Sequence, residues 1–132
     1  MKIPVFEDIV KAHMLIYPYI HYTPVMTSQS INRIIGTEIF FKCENLQKTG
    51  AFKFRGACNA ILSLTENEAV KGVGTHSSGN HAAALAHAAS LRGITAHIVM
   101  PSNAPEIKKK AVSGYGGEIT FCEPTLEARE ST

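Results

Sequence analysis

The stretch Gly72-Val-Gly-Thr-His-Ser-Ser-Gly-Asn-His-Ala-Ala-Ala-Leu-Ala-His-Ala-Ala-Ser-Leu-Arg-Gly-Ile-Thr-Ala-His-Ile-Val-Met-Pro101 contains a whole strand, turn, helix and second strand. A short strand is predicted around Gly72 to Thr75, a polar turn over Ser77 to Asn80, and an alanine-rich helix from His81 to Arg92 that Gly93 stops. Ala96 to Met100 is the next strand. The unit then repeats: Pro105 stands in the first turn of a helix running to about Ser113, Gly114 to Gly117 turn the chain, and Glu118 to Cys122 form another strand. Short apolar strands alternating with helices predict a parallel sheet covered on both faces, the doubly wound α/β class.

Upstream, Ile9, Val10, Met14 and Leu15 recur at helical spacing, which predicts a helix from Phe6 to about Ile16 with Glu7 and Asp8 in its first turn. Pro18 and Pro24 bracket an extended stretch that ends in Thr27 to Ser30; a short helix follows and stops at Gly36. Glu38 to Lys42 is β-rich. After a polar connection closed by Gly50, Ala51 to about Leu64 has helical periodicity through Phe54, Ala57, Ile61 and Leu62. Thr125 to Thr132 reads as a helix only just begun, so the sheet is expected to be incomplete at the C-terminus.

The chain has 132 residues, 13 Lys and Arg against 11 Asp and Glu, 45% hydrophobic and 18% charged, the composition of an ordinary globular domain. A net charge of +2 with acids and bases interleaved argues against a nucleic-acid partner, whose basic residues would gather into a stripe. Lys108 to Lys110, flanked by Glu106 and Glu118, read as a solvated helix face. Acids in the stretch Met1 to Asp8 argue against a signal peptide, and no stretch approaches the ~18 apolar residues of a membrane span. A cytoplasmic protein is expected. Cys43, Cys58 and Cys122 are widely spaced and odd in number, and read as small packed residues rather than a disulfide framework. His76, His81 and His87 do not share a helix face, and no acid or cysteine completes a metal-ligand set around them.

Two segments carry chemistry. Ligands of open α/β sheets bind at the carboxyl ends of strands, where helix N-termini present free N–H groups, and Ser77 to His81 stands at such a place. Gly79 allows close backbone approach, and Ser77, Ser78 and Asn80 add side-chain hydrogen bonds suited to a small carboxylate or phosphate. The alternative is that a serine there only caps the helix. In the second segment, Lys53 lies in the opening turn of a helix, where the dipole disfavours an ammonium. A partly desolvated amine between Phe52 and Phe54 suits Schiff-base chemistry with an aldehyde, whereas a lysine that merely snorkels is the plainer reading. Gly56, costly inside a helix, suggests close packing against a neighbour or cofactor.

Lys48-Thr-Gly-Ala-Phe-Lys-Phe-Arg-Gly-Ala57 together with Thr75-His-Ser-Ser-Gly-Asn-His81 resembles the pyridoxal-phosphate enzymes of fold type II, the tryptophan synthase β-like class. Within it the match is to the serine racemase and serine/threonine dehydratase family. Phe41 to Glu44, Val99 to Pro101 and Gly114 to Gly117 support the resemblance, which covers nearly the whole chain. It implies that Lys53 bonds pyridoxal phosphate and moves the substrate α-proton on one face, that Phe52 packs beside the ring, and that Asn80 bonds the ring 3′-oxygen. Ser77, Ser78, Gly79, Asn80 and His81 are implied to receive the substrate carboxylate. Ser78, where many threonine dehydratases carry alanine, is implied to be the second acid/base, which tilts the reading to a serine racemase with dehydratase activity. Lys48, Thr49 and Tyr115 match positions near a nucleotide site in such enzymes.

The substrate implied is a small hydroxy amino acid, serine or threonine, converted to its mirror image or to an α-keto acid and ammonia. Ala51 departs from the serine usual two residues before the lysine, and Ala82 from the glycine that often follows the histidine. By the same resemblance the cofactor's phosphate loop, the group on its ring nitrogen and the divalent-cation site lie in the family's later half, outside this chain. Residues 1–70 are then the front of a large domain and residues 71–132 most of a small one, in a protein that is a homodimer at full length. The competing readings are a cysteine synthase-like β-replacement enzyme, a truncated non-catalytic homologue serving as a partner subunit, and an unrelated anion-binding α/β module.

Overall fold

A computed structural model describes residues 3–132; Met1 and Lys2, the start of the N-terminal stretch read above, lie outside the described residues. The helices are α1 Phe6–Ile16, α2 Gln29–Ile35, α3 Lys53–Leu62, α4 Glu66–Ala69, α5 Asn80–Arg92, α6 Glu106–Gly114 and α7 Leu126–Ser131. The strands are β1 Val25–Met26, β2 Phe41–Lys42, β3 Val73–His76, β4 Ala96–Pro101 and β5 Glu118–Cys122. Tyr17–Tyr19, Glu44–Leu46 and Lys48–Gly50 form single 3₁₀ turns.

β3, β4 and β5 lie side by side in chain order and all parallel, with Thr75 opposite Ile98 and Ile98 opposite Ile119. Ala96, Ile98 and Met100 of β4 face inward and are fully buried, whereas His97 between them is exposed. The sheet is parallel as expected. Each step from β3 to β4 to β5 goes in one direction, so the right-handed crossovers α5 and α6 fall on the same face. On the other face the exposed His97 ring stands 3.2 Å from the Glu118 carboxylate.

α5 carries six alanines that are all buried, between 0% and 9% exposed, so it is a helix packed nearly all round. Its small side chains let α3 lie against it through Phe54, Ala57, Cys58 and Ile61. Arg92 ties the far ends together, donating to the Ile61 carbonyl at 2.6 Å and to Glu66 at 2.7 Å. Gly93, left-handed at φ 69°, ends α5 as its sequence position predicts, and Gly36 does the same for α2 at φ 71°.

Several local expectations change. The strand expected over Glu38 to Lys42 pairs only at Phe41 and Lys42, which meet Met26 and Val25 in an antiparallel ribbon. α2 starts at Gln29, earlier than read, because the Ser28 hydroxyl accepts the Ile31 N–H. α4 was not expected; its signal is the capping box in which the Glu68 carboxylate accepts from the Thr65 N–H and hydroxyl. Cys58 and Cys122 are buried and Cys43 half-buried, and burial pushes the Cys58 thiol up to about 11. Gly56 is exposed, and a Cβ there would meet nothing within 4 Å, so no neighbour in this chain requires the glycine. At Gly117, in contrast, a Cβ would lie 2.8 Å from Val112 Cγ1 and 3.0 Å from Ala86 Cβ.

Gly117→Ala is therefore expected to lose about 1–3 kcal/mol through overpacking, and Gly56→Ala to gain about 1 kcal/mol from helix propensity. Urea unfolding of the two variants beside the parent chain checks both, and equal midpoints would contradict this account of the core.

Candidate active site

The turn after β3 is an extension of the sheet. The Ser77 N–H still bonds the Val99 carbonyl at 3.1 Å, after which the chain leaves the ladder, and Gly79 stands at the N-cap of α5. Neither serine caps the helix: α5 has no side-chain cap bond, and the Ser77 hydroxyl accepts only the Gly79 N–H, at 3.4 Å. Asn80 and His81 are the first helical residues and are exposed, with Ser77, Ser78 and Gly79 half-buried behind them. The thirteen-residue helix thus presents an uncapped positive end with two hydroxyls and an amide around it, donors suited to an anion.

Lys53 is the first residue of α3, as its sequence position predicts. It is exposed, and among the described residues its amine makes no ion pair or hydrogen bond; Nζ stands 5.4 Å from the centre of the Phe52 ring. The expected desolvation between two phenyl rings is not present. Neighbouring positions on a helix point about 100° apart, so Phe54 turns into the core at 0% exposed while Phe52 stays 61% exposed.

The contacts Phe54 to His87 and Ile61 to Arg92 occur in the same order along α3 and α5, so both helices point the same way. Their N-termini share one end of the pair. Asn80 lies seven residues before His87, which places the start of α5 about 10 Å beyond the level of Phe54. Lys53 and the Ser77 to His81 turn therefore both lie toward the N-terminal end of the α3–α5 pair, while a separate cleft lined by Glu66, Ala69, Arg92 and Thr95 lies at the opposite end of α5. A free primary amine, an exposed amide and an uncapped helix end form a donor set that fits an aldehyde-bearing anionic ring, and pyridoxal phosphate is such a group.

Lys48, Thr49 and Tyr115 come together by a different route. Lys48 Nζ stands 5.8 Å from the Phe54 ring centre, Phe54 stacks on His87 at 4.9 Å, and His87 stacks on Tyr115 at 4.6 Å. Thr49 beside Lys48 is left-handed at φ 60°, and its hydroxyl is buried with no partner among the described residues. Sequence reasoning missed His87, which is 33 residues from Phe54 and 28 from Tyr115; only the fold joins them. It also missed the pair behind α3, where Arg55 Nε and Nη2 donate to Glu44 at 2.8 and 2.7 Å. Hydrogen bonds from Arg55 hold the Glu44 carboxyl below the usual carboxylate range, against the opposing effect of burial, with the Thr23 hydroxyl adding to the shift.

A sequence profile described as "Pyridoxal-phosphate dependent enzyme" matches residues 16–132. Serine racemase of Dictyostelium discoideum is 57% identical over 125 residues, which are 95% of this chain and 39% of that protein. The β-hydroxyaspartate dehydratase of Paracoccus denitrificans is 54% identical over 132 residues, all of this chain and 42% of that protein. The structure of maize serine racemase superimposes with a TM-score of 0.92 at 54% identity, covering 95% of this chain and 38% of that one. The chain thus spans about two fifths of the length of these relatives.

Burial, and the Lys48 ammonium after it, hold the His87 imidazole below the ordinary histidine value. A base depressed on folding contributes stability that is fully present above the unfolded value near ~6.5 and is lost as pH falls through the folded value. NMR titration of the His87 ring is expected to show a midpoint below ~6.5, with thermal stability falling on the acid side and that fall reduced in His87→Phe. A midpoint at or above the ordinary value would contradict the buried stack.

Proposed function

The chain belongs to the pyridoxal-phosphate-dependent enzyme family, and from that premise we propose that it serves a serine racemase and serine or threonine ammonia-lyase, acting on a small hydroxy amino acid. The observation that supports this most is the shared N-terminal end of the α3–α5 pair, which carries the exposed Lys53, unpaired among the described residues, and the uncapped turn Ser77 to His81. Pyridoxal phosphate, when bound, supplies an electron sink for the pair left on the substrate α-carbon after its proton departs. Lys53 would hold the cofactor, with Phe52 and Asn80 beside its ring. In turnover the freed Lys53 Nζ takes the α-proton from one side. The N–H groups at the start of α5, with Ser77, Ser78, Gly79, Asn80 and His81, orient the substrate carboxylate.

Two outcomes follow from where the next proton goes. Ser78 Oγ gives a proton to the α-carbon from the opposite side, which inverts the centre. Alternatively the β-hydroxyl takes a proton and departs as water, and the enamine released hydrolyses to an α-keto acid and ammonia. The similarity to a serine racemase and to a β-hydroxyaspartate dehydratase supports a proton-abstracting enzyme with both exits. The column Lys48, Phe54, His87 and Tyr115, beside the strained Thr49 whose hydroxyl has no partner among the described residues, supports a nucleotide site next to the core. Residues 1–70 and 71–132 are read as parts of a large and a small domain, in a homodimer. Among the described residues no helix is long and apolar enough to cross a membrane, and the three cysteines are free thiols, which supports a cytoplasmic setting.

Mixing the chain with pyridoxal phosphate, reducing with borohydride and mapping the adduct by mass spectrometry tests the reading. The label is expected on Lys53 in preference to the other lysines, with a long-wavelength absorbance band before reduction, and Lys53→Ala is expected to lose both. A label spread over all lysines alike would overturn the assignment of Lys53.

A further inference from the structure

α3 starts without the local devices that define most helix starts. Its N-cap is Phe52, which makes no side-chain cap bond, and the chain reaches it through Thr49 and Gly50, both left-handed at φ 60° and 72°. Two cations, Lys53 and Arg55, lie in the first turn, where the helix dipole opposes them. Locally this end is held only by two backbone turns, the Phe54 N–H to the Ala51 carbonyl at 3.3 Å and the Arg55 N–H to the Phe52 carbonyl at 3.0 Å.

Long-range bonds add to them. The Arg55 guanidinium forks onto both Glu44 oxygens, and its Nη2 also donates to the Thr23 hydroxyl at 3.3 Å. That hydroxyl donates to Glu44 Oε1 at 2.6 Å, and Lys42 Nζ donates to the Thr23 carbonyl at 2.6 Å. The group is half-buried, with side-chain exposures of 26% for Arg55 and 19% for Glu44, so solvent screens it less than a surface pair. With Phe54 sealed in the core, both residues that follow Lys53 are fixed while Lys53 itself is free.

Resting on the reading of Lys53 given above, we propose that Glu44 is a positioning residue for Lys53: by gripping Arg55 it sets where α3 begins and the direction in which the Lys53 amine leaves the helix. The planar fork matters as well as the charge, because a lysine at position 55 would keep the charge but lose the two parallel bonds that define an orientation.

The test is the selectivity of pyridoxal phosphate for Lys53 over the other lysines, read as borohydride-trapped adduct by mass spectrometry, in the 132-residue chain and in Arg55→Lys, Glu44→Gln and Thr23→Val. Misplacing a reacting group by about 1 Å can cost ~100-fold, so selectivity is expected to fall by about tenfold or more in Arg55→Lys and Glu44→Gln. Thr23→Val, a near-isosteric change, is expected to lose less and to remain folded by circular dichroism. Arg92→Lys, which weakens the Glu66 pair and the bond to the Ile61 carbonyl at the other end of α3, serves as a control for general destabilisation and is expected to keep the parent selectivity. Unchanged selectivity in folded Arg55→Lys and Thr23→Val, or an equal loss in Arg92→Lys, would overturn the positioning role alone. A parent chain with no preference for Lys53 would instead remove the reading of Lys53, and this role with it.

Discussion

The close approach of α3 to α5 is the constraint on which the remaining structure depends. An α5 whose inner surface is nearly all alanine can receive the sheet on one side and Phe54, Ala57, Cys58 and Ile61 of α3 on another without leaving voids. A larger side chain at Ala82, Ala86 or Ala89, each at most 1% exposed, would overpack the core around α5. Because the helices run in the same sense, their approach brings two N-termini to one end. The arrangement of the site is thus a result of core packing.

The two helix starts are built in opposite ways. α5 begins at a glycine with no cap, leaving its positive end for a ligand anion. α3 begins with two cations against its dipole, and the cost is offset by Glu44, a residue outside the helix. One start is open to a carboxylate or phosphate, and the other carries an amine held at its base but free at its tip.

Much of the fold was legible in the sequence because its signals are local. The alternation from Val73 to Cys122, the glycines that end α2 and α5, and the placement of Lys53 at the start of α3 follow from periodicity and from the conformations glycine allows. The candidate residues were legible through motif resemblance alone. What failed was of another kind. The short β2 depends on which residues find partners in β1, and the exposure of Lys53 on how its neighbours turn into the core.

The sequence by itself determined the α/β class, the strand and helix order from β3 to β5 and the two segments able to carry chemistry, since each rests on residues within a few positions of one another. Only the tertiary structure decided that Glu44 grips Arg55, that His87 stacks between Phe54 and Tyr115, and that Lys53 and Ser77 to His81 lie toward one end of the α3–α5 pair. These relations join residues 11 to 33 positions apart. No local rule encodes such distances, because they are set by how far small side chains let helices approach and by which way the crossovers turn.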